Sequence, residues 1–151
     1  MADVLVSIRD LDVDYYTRMG VVKALDQVSL DIEKGQLIGL VGESGCGKST
    51  LGFSLLGLIP PPGRIVGGSI IFDGEELVDK DQEYMRHIRG KRISMIFQDP
   101  MTSLNPLQKI GDHLVETITT HESVTKEEAW KQAEGLVDRL GISPSRLTEY
   151  P

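Results

Sequence analysis

The feature that most constrains the fold is the glycine-rich run at residues 42–50, which matches the phosphate-loop pattern G-x-x-x-x-G-K-[ST] at every fixed position. The run consists of Gly42, Glu43, Ser44, Gly45, Cys46, Gly47, Lys48, Ser49 and Thr50. Glycines let such a backbone turn so that its N–H groups point inward and form a nest for phosphate oxygens at the start of a helix. The pattern therefore predicts a site for a nucleoside triphosphate.

The residues at the end of the run predict how the phosphates and their cation are held. Lys48 can reach the β- and γ-phosphates, and the Ser49 hydroxyl is placed to ligate the Mg²⁺ that bridges them. Thr50 is expected near the α-phosphate. The flanking sequence has the required order, because the apolar run 37–41 is typical of a parallel strand buried on both faces and residues 51–58 predict a helix ended by three prolines. These flanks disfavour a glycine-rich turn that only resembles a nucleotide loop.

Composition narrows the classes of function. The chain has 151 residues, is 40% hydrophobic and carries a formal net charge of -7, so a packed core is expected and a nucleic-acid-binding face is disfavoured. Cys46 is the only cysteine, which excludes an internal disulfide and fits a reducing compartment. No signal peptide is visible, and no apolar run approaches the ~20 residues that span a bilayer. We therefore expect any membrane association to go through a partner.

The first half of the chain is predicted to be rich in strands. Apolar positions alternate with polar ones through residues 4–32, which favours half-buried antiparallel strands. A connector over 59–68 leads to a strand over 69–72, which the hairpin dipeptide Asp73-Gly74 turns. A helix over 81–88 then precedes a second buried strand over 93–97.

The last third is predicted to be helical. A helix covers 110–121, and a second one begins at Thr125, where Glu128 completes the capping-box spacing. An apolar stripe follows at Ala129, Ala133, Leu136, Val137 and Leu140. Gly141 stands where a left-handed residue ends a helix. The two helices are expected to form a helical hairpin.

The segment 95–106, Met-Ile-Phe-Gln-Asp-Pro-Met-Thr-Ser-Leu-Asn-Pro, resembles the glutamine loop of ATP-binding-cassette (ABC) importers, in the branch that serves dipeptide, oligopeptide and nickel uptake. Agreement at 42–49, 56–59 and 72–74 extends the resemblance over essentially the whole chain. It implies an α/β P-loop NTPase (RecA-like) core with an N-terminal antiparallel β subdomain. Residues 1–97 would hold the β subdomain and the N-terminal half of that core. The glutamine loop and the start of a helical subdomain would occupy 98–151.

The resemblance also assigns roles to single residues. It implies that Gln98 contacts Mg²⁺ and the region of the attacking water, and an amide can ligate a hard cation without changing charge. It further implies an adenine-stacking aromatic residue in the β-rich opening, at Tyr15 or Tyr16. Alternation favours Tyr15, but the doubled tyrosine leaves the register open, and a tyrosine without any ligand role is the alternative.

Residues 1–151 end before the position of the LSGGQ signature of the family and contain neither the later metal-orienting Asp nor the catalytic Glu and switch His. The resemblance therefore implies the N-terminal half of a cassette, which would bind Mg-ATP without hydrolysing it alone. In the family the missing half supplies neighbouring strands. We accordingly expect residues 37–41 and 93–97 to keep unpaired edges and exposed apolar faces here.

Three functions are compatible with these residues. The first is part of the ATP-binding subunit of an importer of di- or oligopeptides or nickel, peripheral on the cytoplasmic face of the cell membrane. Its partners would be permease subunits contacted from about 101–140, a second ATP-binding subunit and, indirectly, an extracytoplasmic substrate-binding protein. The second is a self-contained small P-loop NTPase or kinase that uses Asp99 as the metal-orienting acid. The third is a regulatory or residual binding module without turnover.

Overall fold

The computed structural model of the chain describes residues 3–98 and 104–151. It divides into two compact units, Met1–Ile93 and Ser94–Pro151. The functional division predicted from the sequence, 1–97 and 98–151, stays a prediction. Asp99 and residues 100–103 of the phrase that resembles the glutamine loop lie outside the described residues.

The first unit is built on a four-stranded antiparallel sheet in the order β2-β1-β3-β4. Its strands are β1 (Val4–Thr17), β2 (Gly20–Glu33), β3 (Gly63–Phe72) and β4 (Glu75–Glu76). The predicted antiparallel strands are thus confirmed. The predicted connector is wrong from Gly63 onward, because that stretch already pairs with β1, as in the register of Val13 with Ile65. The backbone hydrogen bonds to β1 hold this stretch as a strand, although its glycine-rich sequence favours a loop.

A bulge in β1 lets the strand bury more apolar side chains than strict alternation allows. Ile8 and Leu11 are both fully buried although strict alternation would place residues at this spacing on opposite faces. Residues 10 and 11 lie opposite Gly68 alone, because Arg9 pairs with Ser69 and Asp12 with Gly67 in the neighbouring strand. The extra residue resets the pleat, so that both side chains face the core.

Two short helices complete the first unit. They are α1 (Lys48–Leu55), which follows the glycine-rich loop, and α2 (Gln82–Ile88). Leu51 of the first helix and Met85 of the second are buried in the same core cluster as the sheet. The Asp81 carboxylate caps the second helix by accepting from the Tyr84 N–H. Both predicted helices are confirmed, with the first ending earlier than expected.

The two predicted buried strands are wrong. Residues 37–41 and 94–97 form no strand, and Ile93 makes only an isolated bridge with Arg89. The exposed fractions are 98% for Leu37, 94% for Val41 and 96% for Ile96. The physical reason is that a strand needs a ladder partner, and no strand in residues 3–98 and 104–151 pairs with either run. The expected exposure of these apolar faces is confirmed.

The second unit contains α3 (Ile110–His121), α4 (Lys126–Arg139) and a 3-10 helix (Pro144–Thr148). Ala133, Val137 and Leu147 form its buried core. The capping box of Thr125 and Glu128 is confirmed by both reciprocal bonds. Two residues of the apolar stripe, Leu136 and Leu140, are exposed, at 38% and 69%. In the described part of the chain, no helix is long and apolar enough to cross a bilayer.

Candidate nucleotide-binding site

The glycine-rich loop is seated directly on the sheet of the first unit. Gly47 is the N-cap of α1 and has φ 93°, a left-handed conformation that costs a side-chain-bearing residue energy. A Cβ at this position would lie 2.5 Å from the carbonyl oxygen of Ala24 and 2.9 Å from Cδ2 of Leu25. Only glycine therefore satisfies both the turn and the close approach to β2.

The Lys48 side chain folds back along its own loop. Its Nζ donates to the carbonyl oxygen of Gly42 at 2.8 Å and to that of Glu43 at 2.5 Å. A third contact joins Nζ to the Cys46 Sγ at 3.4 Å. The loop thus holds a positive charge beside its own backbone, where a phosphate group would need it.

The start of α1 supplies donors suited to an anion. The first intrahelical bond from the loop runs from the Leu51 N–H to the Gly47 carbonyl at 2.9 Å, so the N–H groups of the first turn have no partner within the helix. No side chain caps this end, and the first turn contains no acidic residue. The exposed Ser49 hydroxyl lies in that turn. Amides, an ammonium and a hydroxyl form a donor set that fits a magnesium-bound polyphosphate.

The two tyrosines of the β-rich opening face opposite sides of the sheet. Tyr15 is half-buried against the core, on the same face as Val13, because a single residue separates them along β1. That face also carries Leu25, on which the glycine-rich loop is seated. Tyr16 is 45% exposed, and the Arg64 guanidinium carbon lies 5.4 Å from its ring centroid. Tyr15 thus shares the face of the loop, and its stacking role stays a prediction.

Gln98 is exposed in the second unit, at the end of the apolar run 94–97. Asp99, the acid of the alternative enzyme hypothesis, falls outside the described residues. Farther along, the Asn105 carbonyl oxygen lies 3.2 Å from Nε2 of His113, and the Asn105 side chain accepts from the Leu107 N–H at 3.0 Å. The end of the phrase resembling the glutamine loop is therefore tied to the first turn of α3.

Sequence reasoning missed the seat of the loop on β2. Ala24 contributes a backbone carbonyl and Leu25 an aliphatic carbon, and neither role has a side-chain pattern by which it could be recognised. Within the described residues, no group of three or more His, Cys, Asp or Glu side chains could hold a metal ion. The predicted Mg²⁺ ligands, Ser49 and Gln98, are not of these residue types, and their role stays a prediction.

Comparisons with known proteins agree with this geometry. The family model described as ABC transporter matches residues 25–150. The oligopeptide transport ATP-binding protein OppD of Bacillus subtilis is 41% identical over 150 residues, covering 97% of this chain and 42% of that protein. The probable peptide ABC transporter ATP-binding protein y4tR of Sinorhizobium fredii is 40% identical over 153 residues, covering 99% of this chain and 46% of the relative. The chain thus spans less than half the length of these relatives.

A solved structure shows the same fold. It is the dimeric, post-hydrolysis state of the ATP-binding cassette MJ0796 bound to ADP and Pi, with a TM-score of 0.75 and 22% identity. The match covers 97% of this chain and 61% of that one. The predicted fold class is therefore confirmed.

Proposed function

The chain belongs to the ABC transporter family, and from that premise we propose that it is the N-terminal, ATP-binding part of the energising subunit of a peptide importer. The observation that carries the proposal is the loop itself, with Lys48 folded along it and an uncapped helix N-terminus behind it. Relatives named for oligopeptide and dipeptide transport support the peptide assignment.

Each part of the site has a role in holding Mg-ATP. The N–H groups of the loop and of the first turn of α1 receive the phosphate oxygens, and Lys48 turns from its own loop carbonyls toward the β- and γ-phosphates. The Ser49 hydroxyl would ligate Mg²⁺, which neutralises phosphate charge when bound. Tyr15 would stack on adenine from the face of the sheet that it shares with the loop.

The remaining assignments concern coupling to partners. We assign Gln98 to the cation and to the attacking water, since its amide is exposed at the end of the run 94–97. Residues 101–140 would meet the permease subunits on the cytoplasmic face of the membrane. A second ATP-binding subunit and an extracytoplasmic substrate-binding protein complete the proposed importer. The 151 residues contain no LSGGQ motif, so we expect this chain by itself to bind ATP without turnover.

Lys48→Ala tests the site. Isothermal titration of the 151-residue chain with Mg-ATP should give saturable binding, and the variant should weaken it about a hundredfold or more, because several charge-assisted hydrogen bonds are lost together. Lys91→Ala is the matched control, since it removes one exposed positive charge from the same unit. The free energy of unfolding of each variant shows whether the fold is retained.

Three results would contradict parts of the proposal. Equal affinity of wild type and Lys48→Ala would remove the phosphate-loop assignment. ATP turnover by the 151-residue chain at ordinary enzyme rates, abolished by Asp99→Asn, would support the small NTPase or kinase instead. In cells in which the gene for this protein carries the Lys48→Ala substitution, uptake of a labelled tripeptide should fall. Uptake of a labelled free amino acid is the control and should not change. Unchanged tripeptide uptake would remove the peptide-importer assignment.

A further inference from the structure

The helix that follows the phosphate loop is fastened at its far end by one arginine. Beyond α1 the chain turns through Gly57, with φ 58°, and two backbone bonds close the helix, from the Gly57 N–H to Ser54 at 3.1 Å and from the Leu58 N–H to Phe53 at 2.9 Å. Two carbonyl oxygens beyond the helix accept from the Arg89 guanidinium. Its Nε donates to the Leu56 carbonyl at 2.7 Å and its Nη2 to the Gly57 carbonyl at 3.2 Å.

The same guanidinium is held from the other side by α2. Its Nη1 donates to Oε1 of Gln82, the first residue of that helix, at 3.0 Å. The backbone of Arg89 is the C-cap of the helix, and its N–H donates to the Met85 carbonyl at 2.9 Å. All three nitrogens of a rigid, planar group therefore have partners, and the group joins the end of α1 to both ends of α2.

At its near end α1 has no room to move toward the sheet. Gly47 already touches β2, where even a Cβ would lie 2.5 Å from the Ala24 carbonyl oxygen. Between the two ends the helix has only eight residues, of which Leu51 and Ser54 are buried. A helix this short moves as one rigid rod, so a shift at its far end displaces the N–H groups and the ammonium at its start.

We propose that Arg89 is a positioning residue for the phosphate site. By holding the Leu56 and Gly57 carbonyls it fixes α1 against β2, so that the first-turn N–H groups and Lys48 converge on one phosphate group. Its positive charge near the C-terminus of the helix also complements the helix dipole, whose positive end faces the phosphates. The ligand class is a nucleoside di- or triphosphate, and the inference rests on the proposed function in that respect.

The test uses Arg89→Gln, Arg89→Lys and the control Arg86→Gln, which removes an exposed charge from the same helix, all in the 151-residue chain. Two quantities are measured for each protein. The first is the dissociation constant for Mg-ATP and for inorganic tripolyphosphate, corrected for the folded fraction. The second is the position of the Gly45 and Gly47 amide resonances in the NMR spectrum. Arg89→Gln should raise the dissociation constant for both ligands about tenfold and shift both resonances, since the two charge-assisted hydrogen bonds to the end of α1 are lost. Arg89→Lys keeps the charge but loses the planar, multiply donating guanidinium, so its dissociation constants should lie between those of wild type and Arg89→Gln. Arg86→Gln should match wild type.

A purely structural role predicts a different result. If Arg89→Gln lowers the free energy of unfolding but leaves the corrected dissociation constants and both glycine resonances at wild-type values, the proposal is overturned. Should Arg89→Gln fail to fold, Arg89→Lys decides in the same way. If the wild-type chain binds no Mg-ATP, the proposed function fails, and the Gly45 and Gly47 resonances of the ligand-free variants still decide whether Arg89 positions the loop.

Discussion

Two sets of apolar residues in the first half of the chain have the same amino-acid types and opposite fates. In β1 the side chains of Ile8, Leu11 and Val13 are 0% exposed. In the run 37–41 the side chain of Leu37 is 98% exposed. The difference lies in their neighbours, because β1 has a strand on each side whereas 37–41 has none among the described residues.

The pattern of each stretch anticipates that difference. An alternating stretch such as β1 needs one buried face, which the helices and the rest of its own sheet provide here. A continuous apolar run such as 37–41, or a largely apolar one such as 94–97, predicts burial on both faces, which requires strands on both sides and layers above and below. Alternation therefore predicts a strand that needs cover on one face, and a continuous run predicts a strand that needs cover on both.

Truncation of one apolar side chain in each region should give the largest difference in unfolding free energy between the two regions. Ile8→Ala removes a fully buried side chain and should lower the free energy of unfolding by about 2–5 kcal/mol, through lost transfer energy and a cavity. Leu37→Ala should change it by less than about 0.5 kcal/mol, because the side chain is already in water. Urea denaturation of the 151-residue chain measures both. Similar losses for the two variants would show that 37–41 is buried in solution.

Two glycines, one in the sheet and one in the run 37–41, allow the same comparison of stability through backbone conformation. Gly68 lies opposite the bulge with φ 86°, and a Cβ there would lie 2.6 Å from the carbonyl oxygen of Arg9. Gly68→Ala should therefore cost about 1–3 kcal/mol in unfolding free energy. A Cβ at Gly39, in the run 37–41, would have no neighbouring atom within 4 Å, so Gly39→Ala should leave the free energy of unfolding nearly unchanged. A neutral Gly68→Ala would show that the bulge can relax and would weaken the contrast.

How far the sequence predicts this fold depends on how local each signal is. The capping box at Thr125 and the helix capped by Asp81 were predictable, because the residues that form each cap lie within three positions of each other. The start of β3 at Gly63 was not, because it is set by pairing with a strand far back in the chain. The unformed strand at 37–41 was mispredicted for the same reason.

The residues of the candidate site also differ in whether the sequence alone could predict them. The phosphate loop is contiguous, so its residues can be recognised as a motif without any knowledge of the fold. Arg89 reaches the carbonyl of Leu56 across a separation of 33 residues, and no periodicity connects the two. The loop's seat on Ala24 is made by backbone atoms, which sequence patterns do not distinguish.

The smallest expected contrast is electrostatic. Arg9 of β1 and Asp31 of β2 form a cross-strand ion pair, with Nη2 2.7 Å from Oδ2. The hydrogen bond from Arg9, followed by one from Ser7, holds the pKa of the Asp31 carboxyl below its ordinary value of 3.8. The pair therefore stabilises the sheet above that ordinary value, and its contribution is lost as the pH falls through the lowered pKa of the folded state. The effect is small because both side chains are half in water.

Arg9→Gln isolates this contribution from those of other carboxylates. In an NMR titration the Asp31 carboxyl should titrate at higher pH in the variant than in wild type, and the stability difference between the two proteins should shrink as the solution is acidified. The runs 37–41 and 94–97 contain no ionisable side chain, so they add nothing to this pH dependence. An Asp31 titration midpoint that is the same in both proteins would mean that the pair does not persist in solution, leaving apolar burial and backbone pairing as the whole difference between the sheet and the runs.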